Sequence, residues 1–182
     1  ALSRVKVSRR LHFPPMFDYT LSATDGTARA GTFSTPHGDV QTPAFMPVGT
    51  AGTVKSLIME EVESLGAQVV LANTYHLYLR PGHELVEKLG RLHDFMRWDG
   101  PILTDSGGYQ VFSMADRVKL SEEGVQFRSP EDGDLRFLTP ELAIEIQETL
   151  GVDVAMQLDE CLDVGADRDR AAASTDRTTR WL

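Results

Sequence analysis

Cysteine is nearly absent. Cys161 stands alone in 182 residues, so no internal disulfide framework exists, and a reducing, cytoplasmic compartment fits the composition. The same scarcity weighs against zinc: one cysteine and five scattered histidines give no paired ligand spacing, so no residue is assigned to a metal. Long apolar runs are lacking too. None approaches the roughly 20 residues that a membrane helix needs, and the amino terminus has no apolar signal-peptide core, so no membrane partner is expected. Positive charge is the third shortage. With 18 basic residues against 27 acidic ones and a net charge of -9, a general basic surface that coats nucleic acid is excluded, whereas a local site is not. Arg4, Lys6, Arg9 and Arg10 crowd the start and mark residues 1–16 as a basic, flexible leader.

What is present suffices for one globular domain or part of a larger one, with 41% hydrophobic residues. From Phe17 to Val48 apolar and polar residues alternate, broken by turn sequences at Thr24-Asp25-Gly26 and Pro36-His37-Gly38, which predicts an antiparallel opening. The pattern then changes to strand followed by helix. Strands are predicted at 43–49, 68–73, 101–104 and 152–158, and helices at 59–65, 81–89 (entered through Pro81), 140–150 and 168–182. Before the third helix, Val125 and Phe127 face Leu135 and Phe137 across Asp132-Gly133, a β-hairpin insertion. Thr139 is a candidate cap with Pro140 at the first helical position, and Gly151 is the stop. Phe45, Met46 and Phe112 read as core.

Four strand–loop–helix units, with polar residues gathered after each strand, predict an α/β fold: half of a (β/α)8 TIM barrel spanning 17–182. A complete barrel takes roughly 250 residues, so the barrel is expected to be truncated. A doubly wound open sheet is the rival, disfavoured because no Gly-x-Gly-x-x-Gly turn follows Val48.

The segment 101–113 (PILTDSGGYQVFS) carries the most chemistry. Its apolar strand empties into Asp105 and Ser106, while Gly107 and Gly108 remove side chains so that a flat ligand could lie against backbone beneath Tyr109. The plain alternative is a tight turn. Likewise His76 is either a hydrogen-bonded core histidine or a pocket residue, and Cys161 is either a packed side chain or a reactive thiol.

Four ordered segments together resemble the tRNA-guanine transglycosylase (queuine tRNA-ribosyltransferase) family: 42–50 (TPAFMPVGT), 71–77 (LANTYHL) with 79–82 (LRPG), 102–113, and 156–161 (MQLDEC). The resemblance implies exchange of guanine at the anticodon wobble position of tRNA for a 7-deazaguanine base, queuine or a precursor, without cutting the backbone. It implies that Asp105 handles the proton of the base and that Asp159 reads the guanine edge. Tyr109 would stack on the heterocycle, with Ser106, Gly107, Gly108 and Gln110 in support. Val48, Leu71, Asn73, His76 and Cys161 fall where the family lines its pocket and the neighbouring ribose site. The covalent aspartate and a zinc held by cysteines and a histidine are expected beyond residue 182, in a homodimeric or heterodimeric parent enzyme that binds the tRNA anticodon loop. Two other functions fit the residues: a non-catalytic partner subunit of the same family, and an unrelated barrel enzyme acting on a small molecule.

Overall fold

Alternating side chains on either side of two tight turns let the first described residues fold back on themselves twice. The computed structural model describes residues 18–114 and 116–182; the leader at 1–16 and Phe17 lie outside the described residues. Strands β1 (Tyr19–Asp25), β2 (Ala28–Thr35) and β3 (Gly38–Thr42) form the antiparallel sheet β1-β2-β3. The predicted next strand does not form. Pro43 and Pro47 have no N–H to donate, and only Val48 makes a parallel bridge, to Leu71. Phe45 projects from this irregular stretch 82% exposed, contrary to its assignment to the core.

Helix α1 (Met59–Ser64) starts where the Glu61 carboxylate accepts from the Ile58 N–H, and it buries Met59 and Val62. Strand β4 (Val70–Ala72) follows and leads through Asn73 into α2 (Thr74–Leu79), a helix outside the predicted elements. The helix expected from Pro81 is α3 (His83–Lys88), capped by Gly82, with Pro81 outside it. Helix α4 (Arg91–Met96) lies outside the predicted elements. After strand β5 (Ile102–Thr104), Asp105, Ser106 and Gly107 make a short connection to α5 (Gly108–Met114), so the second glycine begins a helix rather than extending a loop.

The insertion has three strands where a hairpin was expected: β6 (Asp116–Leu120), β7 (Val125–Arg128) and β8 (Leu135–Leu138), in the order β6-β7-β8. Helix α6 (Pro140–Leu150) behaves as its sequence dictates. Thr139 Oγ1 accepts from the Leu142 N–H at 3.1 Å, Pro140 occupies the first turn, and Gly151 closes the helix in the left-handed conformation. Ile146 and Leu150 are fully buried, each contributing about 1.5–3 kcal/mol by leaving water. The strand expected over 152–158 is ordered only as β9 (Val154–Ala155), and α7 (Arg168–Arg180) is the last element.

Strands β4, β5 and β9 are parallel neighbours in that order, with Val48 beside β4. Successive strands thus lie side by side in chain order, with Val70, Ala72 and Ile102 buried against the helices. This mixed α/β arrangement brings the ends of β4, β5 and β9 to one place.

Candidate active site

Register creates the site. Ala72 pairs with Thr104, so the next residues, Asn73 and Asp105, emerge side by side at the carboxyl ends of β4 and β5. Asn73 Nδ2 and Gln110 Nε2 (2.9 Å) both donate to Asp105 Oδ2, and the Thr74 backbone N–H donates to Oδ1 at 2.9 Å. The Thr74 hydroxyl also donates to the Asp105 carbonyl. A carboxylate has about four acceptor positions, so these donors fix its orientation and still leave room for one more.

Asp159 follows β9 and faces the same space. Ser106 Oγ donates to its Oδ1 at 2.7 Å, and Cys161 Sγ donates to Oδ2 at 3.2 Å. Ser106 is itself held by the Gly108 N–H at 3.1 Å. Burial pushes the Cys161 thiol up to about 12, assisted by its bond to Asp159 and by the nearby negative charge. At neutral pH Cys161 is therefore a neutral donor rather than a nucleophile.

The two glycines are needed for different reasons. Gly107 adopts φ +83°, which disfavours a side chain, while a Cβ on Gly108 would lie 2.7 Å from Asp159 Oδ1 and closer still to the Asp159 carbonyl. Asp105, Ser106, Gly107, Tyr109, Gln110 and Asp159 share the wall of one cavity of about 570 Å³. Tyr109 is 66% exposed at its rim and also borders a second cavity beside Cys161 and Arg170.

The structure does not bring every predicted residue to this wall. Val48 and Leu71 are bridged to each other one strand away, and Val48 lines a separate apolar groove with Phe45, Leu57 and Leu65. His76 is half-buried with its ring edge-on to Tyr75, at a centroid distance of 5.4 Å, and is not among the lining residues. Asn73 acts through Asp105.

The family model for queuine tRNA-ribosyltransferase matches residues 24–182. The chain belongs to the queuine tRNA-ribosyltransferase family. A queuine tRNA-ribosyltransferase of Desulforudis audaxviator is 60% identical over 154 residues, covering 85% of this chain and 41% of that protein. Those of Pelotomaculum thermopropionicum and Herpetosiphon aurantiacus are each 56% identical, covering 91% of this chain and 45% and 42% of theirs. The chain thus spans less than half the length of the relatives it matches.

Within this family member, sequence reasoning missed Thr74 and Gln147. Thr74 makes two of the contacts to Asp105. Gln147 is fully buried; its Oε1 accepts from Thr104 Oγ1 (2.9 Å) and the Met156 N–H (2.8 Å), while Nε2 donates to the Met156 carbonyl at 2.9 Å. It thereby ties β5 to the stretch leading into Asp159. A glutamine among Ala143, Ile146 and Leu150 on one apolar helix face was the available signal.

Proposed function

We propose that the chain supplies the base-recognition half of a tRNA-guanine transglycosylase, within the first four units of a (β/α)8 barrel. The observation that carries this reading is the convergence of Asp105 and Asp159 on one cavity beneath Tyr109. The successive order of Val48, β4, β5 and β9 supports the barrel.

Guanine offers N1–H and its exocyclic amine as adjacent donors, and the Asp159 carboxylate, steadied by Ser106 and Cys161, accepts both. Adenine presents the wrong edge there. Asp105 gives a proton to the departing guanine as the covalent ribosyl bond forms, and takes one back from the incoming base when its ring nitrogen attacks the ribose and that bond breaks. Stacking on Tyr109 offsets the cost of drawing the wobble base out of the anticodon stack. The covalent ribosyl acceptor implied by the family is a different aspartate, so Asp105 is assigned the proton and not the bond to sugar.

The zinc implied by the resemblance needs several cysteines, whereas Cys161 is the single one here and is engaged with Asp159. The present residues do not make that site, and no step passes through it. Dimerisation and a cytoplasmic location belong to the same reading and rest on family resemblance; among the described residues no helix is long and apolar enough to cross a membrane.

The test is incorporation of labelled guanine into tRNA by an enzyme of the relatives' full length containing these residues. Asp105→Asn and Asp159→Asn each lower turnover by about 10²–10⁴-fold, the usual share of a general acid–base group, while Tyr109→Phe keeps its stacking face and loses little. A wild-type rate for Asp105→Asn would overturn the assignment.

A further inference from the structure

At the opposite ends of the same strands lies a second cluster of polar side chains, which the proposed reaction does not use. His37 comes from the turn between β2 and β3, His93 from α4, and Asp153 from the residue before β9. Asp153 is anchored at the amino-terminal end of β5, where the Ile102 N–H donates to its Oδ2 at 2.9 Å. Ile102 precedes Asp105 by three positions, so about 10 Å of strand separates this cluster from the candidate active site.

The geometry points to a site for a divalent transition-metal ion of the zinc class, held by His37 Nδ1, His93 Nε2 and Asp153. These three ligand atoms lie within 4.8 Å of one another. His37 Nδ1 donates to Asp153 Oδ1 at 2.8 Å. His93 Nε2 stands 3.3 Å from Asp153 Oδ2, yet it is a buried nitrogen with no aligned hydrogen-bond partner. Its contact with the carboxylate is close but poorly directed, and coordination would give that nitrogen a directed bond.

Two imidazoles and one carboxylate suit zinc, cobalt or nickel, and the backbone bond from Ile102 orients the carboxylate as an outer partner should. The Asp153 side chain is fully buried, His93 is 13% exposed and His37 is 41% exposed, so the open coordination position faces solvent beside His37. The histidine rings stack with centroids 3.7 Å apart and must fan apart around an ion; His37, on its exposed turn, has room to do so. Binding replaces the proton shared by His37 Nδ1 and Asp153 with the ion, and the proton passes to solvent. Such an ion would join the antiparallel sheet to α4 and to the parallel sheet. This inference does not depend on the base-exchange reading.

Chelator-treated chain titrated with Co²⁺ provides the test, read by visible ligand-field absorption and by equilibrium dialysis, with Zn²⁺ as competitor. One ion is expected per chain, displaced by zinc and accompanied by a rise in melting temperature. His37→Gln and His93→Gln each weaken Co²⁺ binding by about tenfold or more, whereas His83→Gln leaves it unchanged. His37 lies on an exposed turn, so its variant keeps the fold and carries the test should the His93 variant unfold. Absence of bound Co²⁺ in the wild-type chain, or wild-type affinity in a folded His37→Gln protein, would overturn the site; a simple histidine–carboxylate staple would give the former.

Discussion

Gly108 shows how tightly single residues constrain the candidate site. Alanine there would improve helix propensity by about 1 kcal/mol at the start of α5. Its Cβ, however, would meet Asp159 Oδ1 at 2.7 Å, alongside the Asp159 carbonyl, which is backbone and yields only if the loop moves. Overpacking of this kind costs about 1–3 kcal/mol, so the clash prevails. Gly108→Ala is expected to lower the melting temperature and, on the proposed reading, to weaken guanine binding measured by calorimetry, because Asp159 must shift from Ser106. An alanine protein as stable as wild type and binding guanine equally would show that Asp159 is not held as described.

Among the elements, α7 is the one held by charge. It buries little apolar surface, with Ser174 its only buried residue. Instead, Arg170 and Arg177 converge on the Glu160 carboxylate, whose side chain is fully buried, and Ser174 Oγ donates to the Glu160 carbonyl at 2.8 Å. Burial alone would raise the Glu160 carboxyl, but the hydrogen bonds from Arg170 and Arg177 outweigh it, and the group sits below its ordinary value of 4.5. A lowered folded-state value means stability present above the ordinary carboxyl range and lost as pH falls through the folded value. Glu160→Gln is accordingly expected to cost about 1–3 kcal/mol at pH 7, near the low end because Arg170 is 43% exposed and screened by water. Thermal melts of both proteins from pH 7 down to about pH 3 should converge as Glu160 protonates. A gap that persists unchanged in acid would mean that shape, not charge, secures α7.

For the whole molecule, apolar exposure decides how the chain behaves alone. Phe45 is 82%, Leu65 75% and Leu182 87% exposed, and among the described residues no strand pairs with the outer edge of β9. Open edges and uncovered apolar side chains favour association. On the proposed reading Asp105 and Asp159 handle the base and not the sugar, so these two carboxylates alone do not complete the exchange. The 182-residue chain is therefore expected to associate on size-exclusion chromatography and to leave labelled guanine unincorporated into tRNA. Ordinary turnover by this chain would refute the proposed division of labour.

Local chemistry made much of this protein readable from its residues: Thr139-Pro140 and Gly151 delimit α6, turn sequences separate β1, β2 and β3, and within 101–113 a strand ends just before Asp105. These features depend on neighbours within a few positions, where dihedral preference and side-chain period act directly. The short helices α2, α4 and α5 escaped because six or seven residues hold too few turns to display a period by themselves, whereas the equally short α1 and α3 stand where the pattern changes after a strand and after Pro81. Tertiary structure alone decided that Gln147 would stitch β5 to Met156, that Phe45 would face outward, and that His37 and His93 would stack on each other and both reach Asp153. Each depends on strands and helices distant in sequence coming to rest in one register, and a register fixed by packing leaves no mark on the intervening residues.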